Sequence, residues 1–423
     1  MSAAESGNFY RVRLGAAPAR PGLSGDTKAD VCIVGGGFTG VSAALHLAHL
    51  GARPLLIEAE TIGFAASGRN GGQIHTGLRQ DQVELERWLG KTHARDLWTL
   101  HEESKTLIRA LAARAEVPVK DGLLIAAHNP RALKALAEDG DYLARAYGYT
   151  AMRMLDAEET RARIGTALYA GGRLDMGGGH LQPLAQARGL ARLAQAAGAM
   201  LYEHSAVLAL EDDATGVALK TAEARIRAER VVVACDAFSG GVLPELKPYI
   251  APVESFLVAT APLPPELNAT ILPQDEAVAD TRHVLDYYRK SADGRLIFAG
   301  RERYWRQPSD IKALVAPRLA TVFPQAAGIG IDYGWCGTVG ITRTRMPHFG
   351  RRGSRVVFAH GYSGQGVALS HLGGKLLAEA TLGRSERFEI FARVPAKKFP
   401  GGQMFRRPLV VAALIGLKIL DAL

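Results

Sequence analysis

Four residues in the first part of the chain have the types and the spacing to hold a nucleotide. Gly35, Gly37 and Gly40 stand in G-x-G-x-x-G order, and Glu58 follows them. A glycine at 35 allows a tight turn, one at 37 lets the backbone approach a pyrophosphate, and one at 40 lets a helix pack close to a strand. A carboxylate at 58 can accept hydrogen bonds from ribose hydroxyls and repels a 2′-phosphate. The chemistry implied is capture of a dinucleotide. Three glycines alone are a weak signal, so the flanking elements decide.

Those elements fit. Val31 to Val34 form an apolar run typical of a buried parallel strand. Apolar residues then return at helical spacing at Val41, Ala44, Leu45 and Ala48, and Gly51 ends that helix. Leu55 to Ile57 give a second strand closed by Glu58. The helix would turn its N–H groups and the positive end of its dipole, from Phe38 and Thr39, toward the phosphates. The alternative is a glycine-rich turn in an unrelated α/β domain. A second glycine-rich stretch, GFAASGRNGGQ at 63–73, follows at once. Its small residues suit a backbone wrapped closely around a ligand; the alternative is a surface loop.

Composition narrows the class. The 423 residues are too many for one core and suit two domains. Three scattered cysteines, Cys32, Cys235 and Cys336, argue against a disulfide framework or a metal site and for a reducing, cytoplasmic setting. Neither a signal peptide nor a stretch of transmembrane length is evident. The net charge of +9 is dispersed among acids. It reads as a surface with some preference for anions and not as a nucleic-acid face.

Further along, residues 1–28 are expected to run as an extended arm over the surface. Helices are expected over 82–115, 131–147, 156–164 (with a capping box of Asp156 and Glu159), 183–197, 311–323 and 367–382. Strands are expected at 122–127, within 201–219, at 231–234, at 331–337 and at 356–359. A strand pair at 284–288 and 296–299 should turn at Asp293-Gly294. Prolines over 244–275 mark a crossover, and the apolar tail at 408–423 reads as a docked terminal helix.

The motifs together resemble the D-amino-acid-oxidase-like flavoproteins, and most closely the gamma-glutamylputrescine oxidases among them. The carriers are the unit ending at Glu58, ASGRNGGQ, the GGH-x-x-PL stretch of Gly178, Gly179, His180, Pro183 and Leu184, and LDYYR at 285–289. RMP-x-FG at 345–350, HGYSGQG at 360–366 and FPGG at 399–402 complete the set. The resemblance implies non-covalent FAD and an α/β plus α+β fold. A doubly wound, Rossmann-like FAD-binding domain (1–90, 151–245 and 331–385) would interleave with a substrate domain on a large antiparallel sheet (91–150 and 246–330). Residues 386–423 would form a tail.

Carried over residue by residue, the resemblance gives Gly35, Gly37, Phe38, Thr39 and Gly40 to the pyrophosphate and Glu58 to the ribose. Ser67, Gly68, Arg69, Asn70, Gly71, Gly72 and Gln73 would run along the diphosphate and the ring, and Val207 would meet the adenine through its backbone. Gly361, Ser363, Gly364, Gln365, Gly366 and Val367 would set a helix N-terminus against the flavin pyrimidine. The sequence departs from the likeness at His75, Arg301 and Cys336. Some sarcosine oxidases of the superfamily attach flavin through a cysteine in a late strand, but attachment at Cys336 is not expected.

The reaction so implied is hydride transfer from an amine α-carbon to flavin N5, imine hydrolysis to an aldehyde, and reoxidation by oxygen to hydrogen peroxide. The amine would be gamma-glutamylputrescine or a similar one, and no dedicated catalytic base is required. Two other readings stand: a dehydrogenase of an N-methyl or D-amino acid with a quinone or protein acceptor, and a flavin-binding protein without turnover. Candidate substrate contacts are His75, His180, Tyr287, Tyr288, Arg289, Arg301 and Arg345. Adjacent tyrosines on a strand point to opposite faces, so only one can face the flavin. His180 could equally be a structural hydrogen-bonder. An arginine fork matches a carboxylate, but any one arginine can also be a solvated surface residue.

Overall fold

The structure, a computed structural model, describes residues 7–303 and 310–400, without the side chains of 301–303. In chain order the elements are α1 (Phe9–Leu14), β1 (Gly25–Val34), α2 (Phe38–His49), β2 (Pro54–Ile57), β3 (Gln73–Ile74), α3 (Gln82–Leu89), α4 (Lys91–Arg114), β4 (Val119–Ala127) and α5 (Pro130–Tyr147). Then come β5 (Met152–Leu155), α6 (Ala157–Ile164), β6 (Gly171–Leu181), α7 (Pro183–Ala196), β7 (Met200–Tyr202), β8 (Ala209–Asp213), β9 (Gly216–Lys220), β10 (Ala224–Val233) and α8 (Ser239–Val242). The chain continues through β11 (Ile250–Pro262), α9 (Pro265–Thr270), β12 (Ala277–Asp280), β13 (Tyr287–Lys290), β14 (Arg295–Arg303) and α10 (Ile311–Val322). It ends with β15 (Ile331–Thr342), β16 (His348–Arg352), β17 (Val356–His360), α11 (Gly366–Thr381) and α12 (Glu386–Ala392).

The apolar run in β1 is buried because both faces of its sheet are covered. β17, β10, β1, β2 and β7 lie parallel in that order, with β16 antiparallel on β17 and the β8–β9 hairpin running antiparallel from β10. Val31 and Ile33 pack on one side with Val41 and Leu45 of α2, Leu190 of α7 and Leu372 of α11. Cys32 and Val34 pack on the other with Val217, Leu219 and Leu246. Each large aliphatic side chain so buried contributes roughly 1.5–3 kcal/mol. α2 and α11 meet backbone to backbone: a Cβ on Gly374 would lie 2.3 Å from the Thr39 carbonyl oxygen.

The second sheet runs β15-β11-β14-β13-β12-β4-β6-β3, with β5 on β6, and all its pairs are antiparallel except β4–β12. Phe256, Val258, Tyr288 and Phe298 pack on one face with Leu319 and Val322 of α10. Leu257, Ala259, Ile297, Ala299 and Trp335 pack on the other with Phe9 and Tyr10 of α1 and Leu184 of α7.

Four sequence expectations are corrected. The arm at 1–28 runs over the surface without helix or strand only over 15–24: before that it holds α1, capped by Asn8, with a fully buried Tyr10, and its end belongs to β1. The helix over 82–115 breaks at Gly90, whose φ of +86° departs from the helical region and leaves α3 and α4. The crossover at 244–275 contains β11, the longest strand of its sheet. Its prolines fit because Pro252 precedes the stretch paired with β14 and Pro262 ends the strand. The tail begins with α12, which packs Phe388 and Phe391 into the first core. The strands at 152–155, 171–181 and 331–342 also join the second sheet, so boundaries at 151 and 331 do not follow the sheets. The apolar run at 408–423 and the last two residues of FPGG lie outside the described residues.

Candidate functional site

The C-terminal ends of β1, β2 and β10 open into a cleft of about 480 Å3. Strand order reverses there, since the chain passes from β1 through β2 to β7 on one side and adds β10 and β17 on the other. Open parallel sheets take their ligands at that point.

The first wall is the glycine turn. Gly35 has φ +108°, and a Cβ there would lie 2.7 Å from the Ala234 carbonyl oxygen. A Cβ on Gly40 would lie 1.9 Å from the Gly35 carbonyl oxygen. α2 begins at Phe38 with no side-chain cap from Gly37, so its N-terminus faces the cleft. Phe38 N–H donates to Ser67 Oγ at 2.9 Å, which brings the second glycine loop to that helix end. Glu58 stands at the edge, accepting from Gly36 N–H at 2.5 Å and Glu60 N–H at 2.9 Å. Burial pushes its pKa up, and those two donors oppose the shift.

Of the loop at 63–73, Phe64 to Ser67 and Asn70 line the cleft. The rest hold the loop in place. Arg69 gives Nε to the Phe64 carbonyl at 2.6 Å and Nη1 to the Cys336 carbonyl at 3.3 Å, while Trp335 Nε1 donates to the Arg69 carbonyl at 3.0 Å. Asn70 accepts from Gly72 N–H at 2.7 Å. Gln73 donates to the Val278 carbonyl at 2.9 Å, and a Cβ on Gly68 would strike the Gly63 carbonyl.

On the far wall Thr338, Val339, Tyr362, Gly364, Gly366 and Val367 line the cleft, and α11 also starts without a side-chain cap. Gly361 and Ser363 lie behind it: Ser363 Oγ accepts from Thr342 N–H at 3.2 Å. Gln365 Oε1 is buried with no hydrogen-bond partner among the described residues. Thr39 and Val207 are lining residues, as is Ser205 beside Val207. Sequence reasoning missed Ser205, Cys235, Asp236, Phe238, Thr338, Val339 and Tyr362. Position after the strand at 231–234 was the available signal for Cys235 and Asp236, since such sites collect at strand C-termini.

The substrate candidates do not assemble into one cluster. Tyr287 lies under the loop, its ring 2.7 Å from where a Gly71 Cβ would be and its hydroxyl 3.1 Å from Ser255 Oγ. Tyr288 points to the opposite face, donates to the Tyr169 hydroxyl at 3.1 Å and stacks on Phe298. Arg289 is buried, with Nε on the Gly71 carbonyl at 2.6 Å and Nη2 on the Tyr10 hydroxyl at 3.2 Å. His180 Nε2 donates to the Asp275 carbonyl at 2.7 Å, and burial, with Arg289 nearby, pushes its pKa down to about 3. His75 is half-buried, held near 4 by burial, with Arg79 and His101 adding to the effect. Arg345 occupies the β15–β16 turn with φ +61°. Arg301 pairs opposite Phe256 in β14, and its side chain is outside the described residues.

Cys336 packs against the core that holds Phe256 and Tyr288, on a strand residue that does not line the cleft. Burial pushes its thiol pKa up, and Glu254 adds to that more than Arg69 subtracts, so the nucleophilic thiolate is disfavoured. No group of metal-binding side chains occurs among the described residues. No helix among them is long and apolar enough to cross a membrane.

A family model described as FAD dependent oxidoreductase (DAO) matches residues 30–380. The chain is 38% identical over 398 residues to the gamma-glutamylputrescine oxidoreductase of Escherichia coli (strain K12), covering 93% of each protein. It is 37% identical over 410 residues to a probable oxidoreductase OrdL of Rhizobium meliloti (strain 1021), covering 96% of this chain and 95% of that one. Solved structures with the same fold include glycine oxidase from Geobacillus kaustophilus, with a TM-score of 0.72 and 23% identity over 84% of this chain and 95% of that one. L-proline dehydrogenase from P. horikoshii matches with a TM-score of 0.73 and 20% identity over 85% of this chain and 95% of that one.

Proposed function

The chain belongs to the FAD-dependent oxidoreductase (DAO) family and uses FAD, and from that premise we propose that it oxidises a primary amine bearing a remote carboxylate. The leading candidate is gamma-glutamylputrescine. The observation that carries this reading is the 38% identity, over 93% of the chain, to a protein named for that substrate. The excess of nine positive charges suits an anionic amine. A reducing, cytoplasmic setting is part of the proposal, on the strength of three free cysteines.

The cleft fits FAD, because Gly35 and Gly40 leave a cradle that a Cβ would fill. In this reading the 35–40 turn and the N-terminus of α2 hold the pyrophosphate, Glu58 the ribose, and the backbone at Ser205 and Val207 the adenine. Phe64 to Ser67, Asn70, Thr338, Val339 and the 361–367 turn hold the ring. When bound, FAD supplies the two-electron acceptor for a hydride from the amine α-carbon.

The chain's own residues prepare that exchange. The uncapped N-terminus of α11 favours negative charge placed against it. The apolar lining excludes water and favours a neutral amine over an ammonium ion. Tyr287 and Ser255 offer a hydroxyl pair to orient the substrate. Arg289 and His180, engaged with Gly71, Tyr10 and Asp275, support the loop. The released imine hydrolyses to an aldehyde, and oxygen is the proposed acceptor, giving hydrogen peroxide.

Anaerobic bleaching of the yellow holoenzyme tests the proposal across putrescine, its gamma-glutamyl conjugate, N-methyl amino acids and D-amino acids. The conjugate should bleach the flavin fastest at low concentration. Faster bleaching by an N-methyl or D-amino acid, with reduced flavin stable in air, would replace the oxidase reading by a dehydrogenase.

A further inference from the structure

Asp236 stands three residues past the end of β10, lines the cleft and has a φ of +42°. An L side chain disfavours that backbone region, so the conformation needs support from its surroundings. The carboxylate provides it. Oδ1 accepts from the Gly361 N–H at 2.7 Å, and Oδ2 accepts from the Gly340 N–H at 3.0 Å. The two donors belong to two segments of the far wall, which the Ser363 N–H joins directly through the Gly340 carbonyl at 3.0 Å. Gly340 lies in β15 beside the lining residues Thr338 and Val339, and Gly361 opens the turn that leads through Tyr362 and Gly364 to α11. The fit is close: a Cβ on Gly340 would lie 2.8 Å from Asp236 Oδ1. Burial pushes the Asp236 pKa up, while the N–H groups of Gly361, Gly340, Ala237 and Tyr362 pull it down. One carboxylate thus gathers donors from three segments of chain, and hydrogen bonds to an ionised acceptor are the stronger kind.

We propose that Asp236 is a positioning residue for the cofactor: its carboxylate ties the segment after β10 to the far wall, at β15 and at the glycine turn at 361, and so sets the gap that receives the flavin half of FAD. The inference rests on the family's cofactor and takes nothing from the amine proposed above. A residue that only filled space here would need no acceptor atoms. Two hydrogen bonds, one from each segment of the far wall, make a brace. Glu58 and Val207, given above to the adenosine half, are not among the partners of those two bonds.

The test compares Asp236→Gly and Asp236→Asn with the parent, all as full-length chains freed of flavin and then titrated with FAD and with ADP. Glycine relaxes the backbone but removes both acceptors. It should weaken FAD at least tenfold while ADP stays within twofold of the parent. Asparagine keeps one carbonyl acceptor and should fall between. The visible circular dichroism of the reloaded variants should shift in the same order. An unchanged FAD affinity in the glycine variant would overturn the proposal, as would an equal loss of FAD and ADP affinity. Should the glycine variant not fold, the ratio of FAD loss to ADP loss in the asparagine variant decides alone.

Discussion

Replacing Gly40 with alanine, beside Gly37 with valine, separates two jobs that the glycine turn performs. The Gly40 Cβ would sit 1.9 Å from the Gly35 carbonyl oxygen and 3.4 Å from the Ala234 Cβ. Ordinary contact needs roughly 3.5 Å, so α2 must lift from the turn by roughly 1.5 Å. Overpacking a tight site costs about 1–3 kcal/mol. The obstacle here is backbone and cannot rotate away, so Gly40→Ala should destabilise even the flavin-free protein by about 3 kcal/mol. Gly37 differs, because its Cβ would meet Ser67 Oγ at 2.9 Å, the end of a side chain that can turn. Gly37→Val should leave the flavin-free protein within about 1 kcal/mol of the parent. It should nevertheless weaken FAD about 100-fold by crowding the pyrophosphate, a loss worth about 2.7 kcal/mol. Urea unfolding of the flavin-free chains and FAD titration by fluorescence quenching measure both quantities. A Gly40→Ala protein as stable as the parent, or a Gly37→Val protein that retains full flavin, would refute the reasoning.

Acid precipitation should leave the flavin in the supernatant, and Cys336→Ser should not change that; a yellow pellet whose colour needs Cys336 would place the flavin linkage there. Arg289→Ala should strip Gly71 and Tyr10 of a donor and lower stability by about 2 kcal/mol, the usual cost of a buried unmade bond. A large rise in KM at unchanged stability would instead make Arg289 a substrate contact. His46, His75, His348 and His371 have pKa values pushed down to about 4 by burial, and His180 and His360 to about 3. Folded-state values below the unfolded value of about 6.5 mean that the unfolded chain binds more protons in between. Stability should therefore be full above pH of about 6.5 and fall as the pH drops toward about 4. A urea midpoint independent of pH across that window would contradict the buried, neutral histidines.

The first sheet was legible because its strands are buried on both faces and its turn leaves little choice of residue: Val31 to Val34, Gly35 to Gly40 and Glu58 each answer a separate physical demand. The opposite faces of Tyr287 and Tyr288 followed from strand geometry alone. The far wall was hidden. Thr338 and Val339 reach the cleft only because β15 meets the segment after β10 there, and no local spacing records that meeting. β11 was hidden by its prolines, since a proline is tolerated in a strand only near its ends or where one neighbour is absent, as at Pro252 before the stretch paired with β14 and at Pro262 at the strand's end. Tyr10 was masked by a Gly- and Pro-rich neighbourhood, although its burial depends on Asn70, Arg289 and Trp335, far along the chain.

The order in which the chain visits its two sheets bears on how it can be made. β1 and β2 go to the first sheet, β3 to β6 to the second, β7 to β10 back to the first, β11 to β15 to the second again, and β16 and β17 to the first. A ribosome therefore releases no stretch that closes on itself until late in synthesis. β1 waits for β10 on one flank, and β10 waits for β17. Such non-local pairing slows folding and leaves apolar strand edges exposed in the meantime. Neither half of the protein should be separable by cutting the gene. A chain that stops before residue 331 lacks the last strand of one sheet and two of the other, and should be recovered in inclusion bodies.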